Sequence, residues 1–138
     1  MADRAFLLDT SALLAFIEKE PGADRVLAIL RREDVIIPWT ALLEVAYITQ
    51  QEQGEAEALV RYALLNRLGA RVIWDADEPA VLTAARLKAA HRLSLADAIT
   101  AAFAIRHRAT LVHKDPEYDC LRGDVDMEAL PYKRKSRA

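Results

Sequence analysis

Three carboxylates in this chain stand among apolar neighbours, Asp9 in LLDTSALLAF, Glu44 in TALLEVAYI and Asp97 in LSLADAITAAFA, and a fourth, Asp115 in VHKDPEYD, closely follows an apolar run. A buried carboxylate without a partner is costly, and acids held together raise one another's pKa. A divalent cation removes that repulsion, and an all-oxygen donor set suits Mg²⁺ or Mn²⁺. On two or three carboxylates such a cation can bind a phosphodiester oxygen, acidify a water and hold it in line for attack on phosphorus. Successive acids lie 35, 53 and 18 residues apart, so only tertiary folding can gather them.

Each acid also has a purely structural explanation. Asp9, between a strand and a helix, is a normal N-cap. Glu44 can lie on a narrow solvent stripe with Gln51, seven residues on. Ser94-Leu95-Ala96-Asp97 matches a capping box, and Asp115 before Pro116 suits an acidic turn. Glu117 and Asp119 compete with Asp115 for any role in that loop.

The elements that must position these acids can be read from hydrophobic spacing. RAFLL reads as a short buried strand and Thr10–Glu18 as a helix with Leu13, Leu14 and Ile17 at helical intervals. Pro21-Gly22 marks a turn, Ala23–Arg32 a helix, and DVIIP a second strand closed by Pro38. Two helices follow, Thr40–Gln53 and Glu55–Leu68, broken by Gly54 and ended by Gly69; ARVIW is a third strand. Glu78–Ala90 and Leu95–Arg108 are Ala-rich helices, TLVH a fourth strand, and 125–130 a possible edge strand after an acidic loop. Strands alternating with one or two helices require crossover connections, hence a central, mainly parallel sheet of four to five strands in a three-layer α/β/α fold. In such sheets sites form at the carboxyl ends of the strands, where Asp9 and Asp115 fall. Residues 1–131 are expected to form one domain and 132–138 a basic, flexible tail.

Apolar residues make up 53% of the 138, charged ones 29%, and only four Gly and five Pro interrupt them, a globular composition able to bury its own core. The formal charge of -2 excludes a surface coated in basic residues, so nucleic-acid binding would need a local patch or a bound cation. A single cysteine, Cys120, cannot form an intramolecular disulfide, and no signal-like start or membrane-length apolar run is present. A reducing cytoplasm and no membrane are expected.

Taken together and in order, the four contexts resemble the PIN domain, and more narrowly the VapC-type ribonuclease toxins of toxin–antitoxin operons. LLDTSALLAF is similar to that family's opening Asp-Thr-Ser motif, TALLEVAY to its internal Glu, LSLADAITAAFA to its third acid, and TLVHKDPEY to its strand, fourth acid and nearby aromatic. The resemblance implies a Mg²⁺- or Mn²⁺-dependent endoribonuclease acting on single strands. Asp9, Glu44, Asp97 and Asp115 would form its pocket, with Asp9 and Asp97 as first ligands and Glu44 and Asp115 direct or water-mediated. Ser11 would support the pocket by hydrogen bonding. A small VapB-type antitoxin covering the cleft and a homodimer are the implied partners.

His113 departs from the family's usual Thr and can be a satisfied core residue, an added ligand or a phosphate contact. Lys114, His113 and Arg92 are the candidate RNA contacts, and Trp39 suits either stacking on a base or the core. Two other functions fit parts of the pattern. A non-catalytic PIN-like module would bind RNA or protein, but has no need of four acids. A phosphoacceptor domain would use Asp75 after the third strand, yet leaves Glu44 and Asp97 unexplained.

Overall fold

The structure, a computed structural model, describes residues 4–132. Five strands, β1 (Ala5–Leu8), β2 (Val35–Pro38), β3 (Arg71–Ile73), β4 (Ala109–His113) and β5 (Met127–Ala129), pair in parallel throughout in the order β3-β2-β1-β4-β5. Six helices connect them: α1 (Thr10–Ile17), α2 (Ala23–Arg32), α3 (Trp39–Gln53), α4 (Glu55–Asn66), α5 (Glu78–Ala90) and α6 (Leu95–Arg106).

The apolar runs form strands because the sheet is covered on both faces, where alternation would bury polar side chains. Successive residues of β1 show this: Leu7 enters one core and Leu8 the other, both fully buried. The Leu7 face holds Ala80 and Leu87 of α5 with Ala98, Ala101 and Phe103 of α6. The Leu8 face holds residues of the first four helices, among them Leu13, Ile29, Val45 and Leu65. The three-layer α/β/α expectation is therefore met, with all five strands parallel.

Element ends differ from expectation by a few residues, each for a local reason. The last helix stops at Arg106, and Arg108 takes a left-handed φ of 51° before β4 begins. Between α3 and α4, Gly54 adopts φ 94° and ψ 168°, a conformation only glycine enters easily, and reverses the chain. The loop expected after β4 contains a 3₁₀ helix, Pro116–Leu121, capped by Asp115. Tyr132, expected in the tail, donates from its hydroxyl to Asp119 Oδ1 at 2.8 Å, and residues 133–138 lie outside the described residues. Among the described residues no helix is long and apolar enough to cross a membrane.

The strand order puts the site where the topology allows one. From β1 the chain crosses to β2 and then β3 on one side, while β4 and β5 lie on the other. Such a reversal leaves a crevice beyond the carboxyl ends of the two central strands. Asp9 leaves β1 at that point, and its backbone N–H donates to Val112 O of β4 at 3.2 Å.

Candidate active site

Asp9 caps α1 and lines the crevice at once. Its Oδ1 accepts the Ala12 N–H at 2.9 Å and the Ser11 hydroxyl at 2.7 Å, and the residue is only 4% exposed. Burial pushes its carboxyl up from 3.8 to about 7, against the lowering effect of those two bonds, while the charges of Asp97 and Asp115 push it further up. Ser11 also accepts the Lys114 N–H at 2.8 Å, so one hydroxyl ties the start of α1 to the end of β4.

Glu44 lies in the second turn of α3, half-buried, and its Oε1 accepts the Thr10 hydroxyl at 2.6 Å. Gln51, the expected companion on a solvent stripe, is exposed, whereas Glu44 turns to α1. Asp97 occupies the first turn of α6, where its N–H donates to the N-cap Ser94 Oγ at 3.1 Å. Its carboxyl is pushed up to about 6, chiefly by burial and also by Asp115 and Glu44, and is lowered by hydrogen bonds from Tyr118 and Ser94. The Tyr118 bond runs from the hydroxyl to Asp97 Oδ1 at 3.1 Å.

Asp115 Oδ1 accepts the Glu117 N–H at 2.9 Å, fixing the first turn of the 3₁₀ helix. Asp97, Asp115 and Glu117 each offer a carboxylate oxygen within 4.8 Å of the others, an arrangement that can hold a metal ion. Asp9 is electrostatically coupled to two members of that trio, and Glu44 to Asp97. The donor set is all carboxylate oxygen, the chemistry hard divalent cations take. Acids whose protons are lost only near pH 6 to 7 also gain most from a neutralising cation.

The neighbouring residues divide sharply. Asp119, a competitor of Asp115 on sequence, accepts from Tyr132 and pairs with Arg122 at 3.5 Å. Lys114 is buried, and its Nζ donates to Pro21 O at 2.9 Å and Glu20 Oε1 at 3.5 Å, bracing the α1–α2 turn. His113 is 1% exposed with its pKa lowered by burial, and its Nδ1 accepts the Asp115 N–H at 3.2 Å. Arg92 is exposed in the turn before α6. Trp39 packs, half-buried, against the α5–α6 core.

His113 thus sets the backbone that carries Asp115. Thr in its place keeps an oxygen able to accept that N–H, so His113→Thr should retain the metal dependence of any cleavage. His113→Leu leaves the donor unpaired and should cost about 1–3 kcal/mol in chemical denaturation. Cleavage lost in both variants with the fold intact would instead show the imidazole acting in the reaction.

Sequence reasoning named Glu117 only as a competitor of Asp115, and Tyr118 and Thr10 only as parts of motifs, with no contact assigned to either. For Tyr118 the signal was its spacing from Asp115: in a 3₁₀ turn residues three apart share a side, as these two do.

A family model described as the PIN domain matches residues 6–122. Solved structures share the fold at low identity. VapBC2 from Rickettsia felis, bound to a promoter DNA fragment, superposes with a TM-score of 0.76 at 14% identity, covering 92% of this chain and 99% of that one. DNA-bound VapBC from Salmonella typhimurium gives 0.73 at 18% identity, with 92% and 98% covered. VapBC-1 from nontypeable Haemophilus influenzae gives 0.72 at 17% identity, with 91% and 97% covered. No curated protein matches by sequence.

Proposed function

The chain belongs to the PIN domain family, and from that premise we propose that it is a metal-dependent endoribonuclease, the toxin of a VapBC-type toxin–antitoxin pair. The observation that carries this reading is the convergence of Asp97, Asp115 and Glu117 within 4.8 Å, beside the buried Asp9, at the strand-order reversal.

Asp97, Asp115 and Glu117 would hold a Mg²⁺ or Mn²⁺, with Asp9 as a further oxygen donor beside them. Such a cation, when bound, would supply positive charge to the phosphodiester and lower the pKa of a water. In Asp9, Glu44 and Asp115 the side-chain hydrogen bonds fall on a single oxygen, Oδ1 or Oε1. The second oxygen of each would then serve the chemistry, those of Asp9 and Asp115 toward the cation and Glu44 Oε2 in orienting water. Ser11 keeps Asp9 in that orientation from the side of β4. Arg92 contacts the RNA backbone, while Lys114 and His113 act from beneath by holding the loops.

A small VapB-type antitoxin covering the acidic cleft, assembly as a homodimer, a cytoplasmic location and a single domain over 1–131 complete the proposal. The VapBC relatives support the antitoxin by their shared fold. The test is incubation of the purified chain with single-stranded and duplex RNA in Mg²⁺, Mn²⁺ or EDTA. Cleavage of the single strand with either metal and none in EDTA is expected. RNA left whole under all these conditions would overturn the activity.

A further inference from the structure

Tyr118 is fully enclosed in the core, 1% exposed, yet carries a polar group there. A buried phenol needs a partner for its O–H. In this fold the partner is a carboxylate of the acidic cleft, Asp97 Oδ1, at 3.1 Å. The ring leans on the His113 imidazole with centroids 4.9 Å apart, and the Tyr118 N–H donates to Asp115 O at 3.2 Å. One 3₁₀ turn therefore supplies Asp115 and Glu117 to the trio and reaches across to α6 to grip the third acid.

We propose that the Tyr118 hydroxyl is a positioning group for the cation site: by occupying Oδ1 of Asp97 it fixes that carboxylate's rotamer and its spacing from Asp115 and Glu117. This rests on the reading of the acidic cleft as a metal site. A phenylalanine at 118 would fill the same core and pack against His113 equally well. The hydroxyl is therefore the part of the side chain that packing does not require. Without it Asp97 keeps its place on α6 but loses the tie to the turn bearing its co-ligands, and metal affinity falls. Outer hydrogen-bond partners of ligands commonly contribute about 10–100-fold to affinity.

The test is Mn²⁺ titration of the RNA-free protein, following the electron paramagnetic resonance signal of free Mn²⁺. Tyr118→Phe should raise the Mn²⁺ Kd about tenfold, at the lower end of that range. The Mn²⁺ concentration for half-maximal RNA cleavage should move by the same factor, with excess Mn²⁺ recovering the rate. In an Asp97→Ala background, which lacks the oxygen that accepts the hydroxyl, the same substitution should change the Kd by less than about twofold, because the coupling has already been cut. A melting temperature in EDTA shows that the ring still packs. An unchanged Kd in Tyr118→Phe, or an equal loss in both backgrounds, overturns the inference. Wild-type protein that binds Mn²⁺ in a Tyr118-dependent way but cuts no RNA refutes the nuclease reading and leaves this one standing.

Discussion

Asp97→Asn should lower metal-dependent RNA cleavage by about 10²–10³-fold while leaving the fold unchanged, the scale on which single preorganised electrostatic groups act in active sites. Asn keeps an Oδ1 able to accept the Tyr118 hydroxyl, so the link from α6 to the 3₁₀ helix survives. What it removes is one negative charge from the trio of Asp97, Asp115 and Glu117. The loss should fall in cleavage and in Mn²⁺ affinity together, and melting temperature should not drop. Asp119→Asn is the matched control. Asp119 sits in the same acidic segment, but its carboxylate faces Tyr132 and Arg122, and its replacement should leave cleavage within about twofold of wild type. Cleavage that persists in Asp97→Asn would sink the assignment of the site.

The second large effect is on stability rather than rate. Asp9 loses its proton at about 7 in the folded protein, against 3.8 for the ordinary carboxyl. Between those values the native state holds a proton that the unfolded chain has given up, so rising pH favours unfolding. In metal-free protein the Asp9 contribution is fully present below about pH 4, declines through the interval and is gone above about pH 7. The full difference is at most about 4 kcal/mol, each pKa unit being worth about 1.4 kcal/mol. Asp9→Asn should therefore be more stable than wild type at pH 8 in EDTA by roughly 2–4 kcal/mol, with the gap closing as pH is lowered toward 4. Mg²⁺ should close the same gap from the other side, by stabilising only the wild type. Denaturant titrations of both proteins at pH 4, 6 and 8 measure this directly. A wild type that matched or exceeded Asp9→Asn at pH 8 in EDTA would contradict it.

Much of this arrangement was legible in the chain because local and tertiary demands coincide. A strand, an acid and a helix in succession mark Asp9 whichever role it plays, and the structure shows it capping α1, buried at the carboxyl end of β1. Buried strands free of polar residues, VIIP and AFLL, announce a sheet covered on both faces. The parts that were not legible depend on directions that spacing does not carry. Lys114 reads as a cation beside an acid, but the strand ahead of it turns its side chain under the α1–α2 turn. KDPEYD reads as a loop, whereas Pro116 starts a tight helix that delivers Glu117 to the acids and Tyr118 to Asp97. Thr10 looks like an ordinary first helical residue, and only the packing of α3 on α1 reveals its hold on Glu44.

The central position of β1 has a consequence for the order in which a ribosome delivers the chain. β1 precedes the other strands yet pairs on one side with β2 and on the other with β4, whose Ala109 faces Ala5 from 104 positions further along the sequence. Asp97 and Asp115 likewise follow β1, β2 and β3 in the order of synthesis. A nascent chain can assemble the α1–α4 layer and β2 beside β1, but it has one wall of the cleft and no opposite wall. Loop closure over such a span comes late, since its entropy must be met before the distant contacts reward it. A nuclease built on this cleft would therefore be expected to cut RNA only once β4 and the turn carrying Asp115 have left the ribosome.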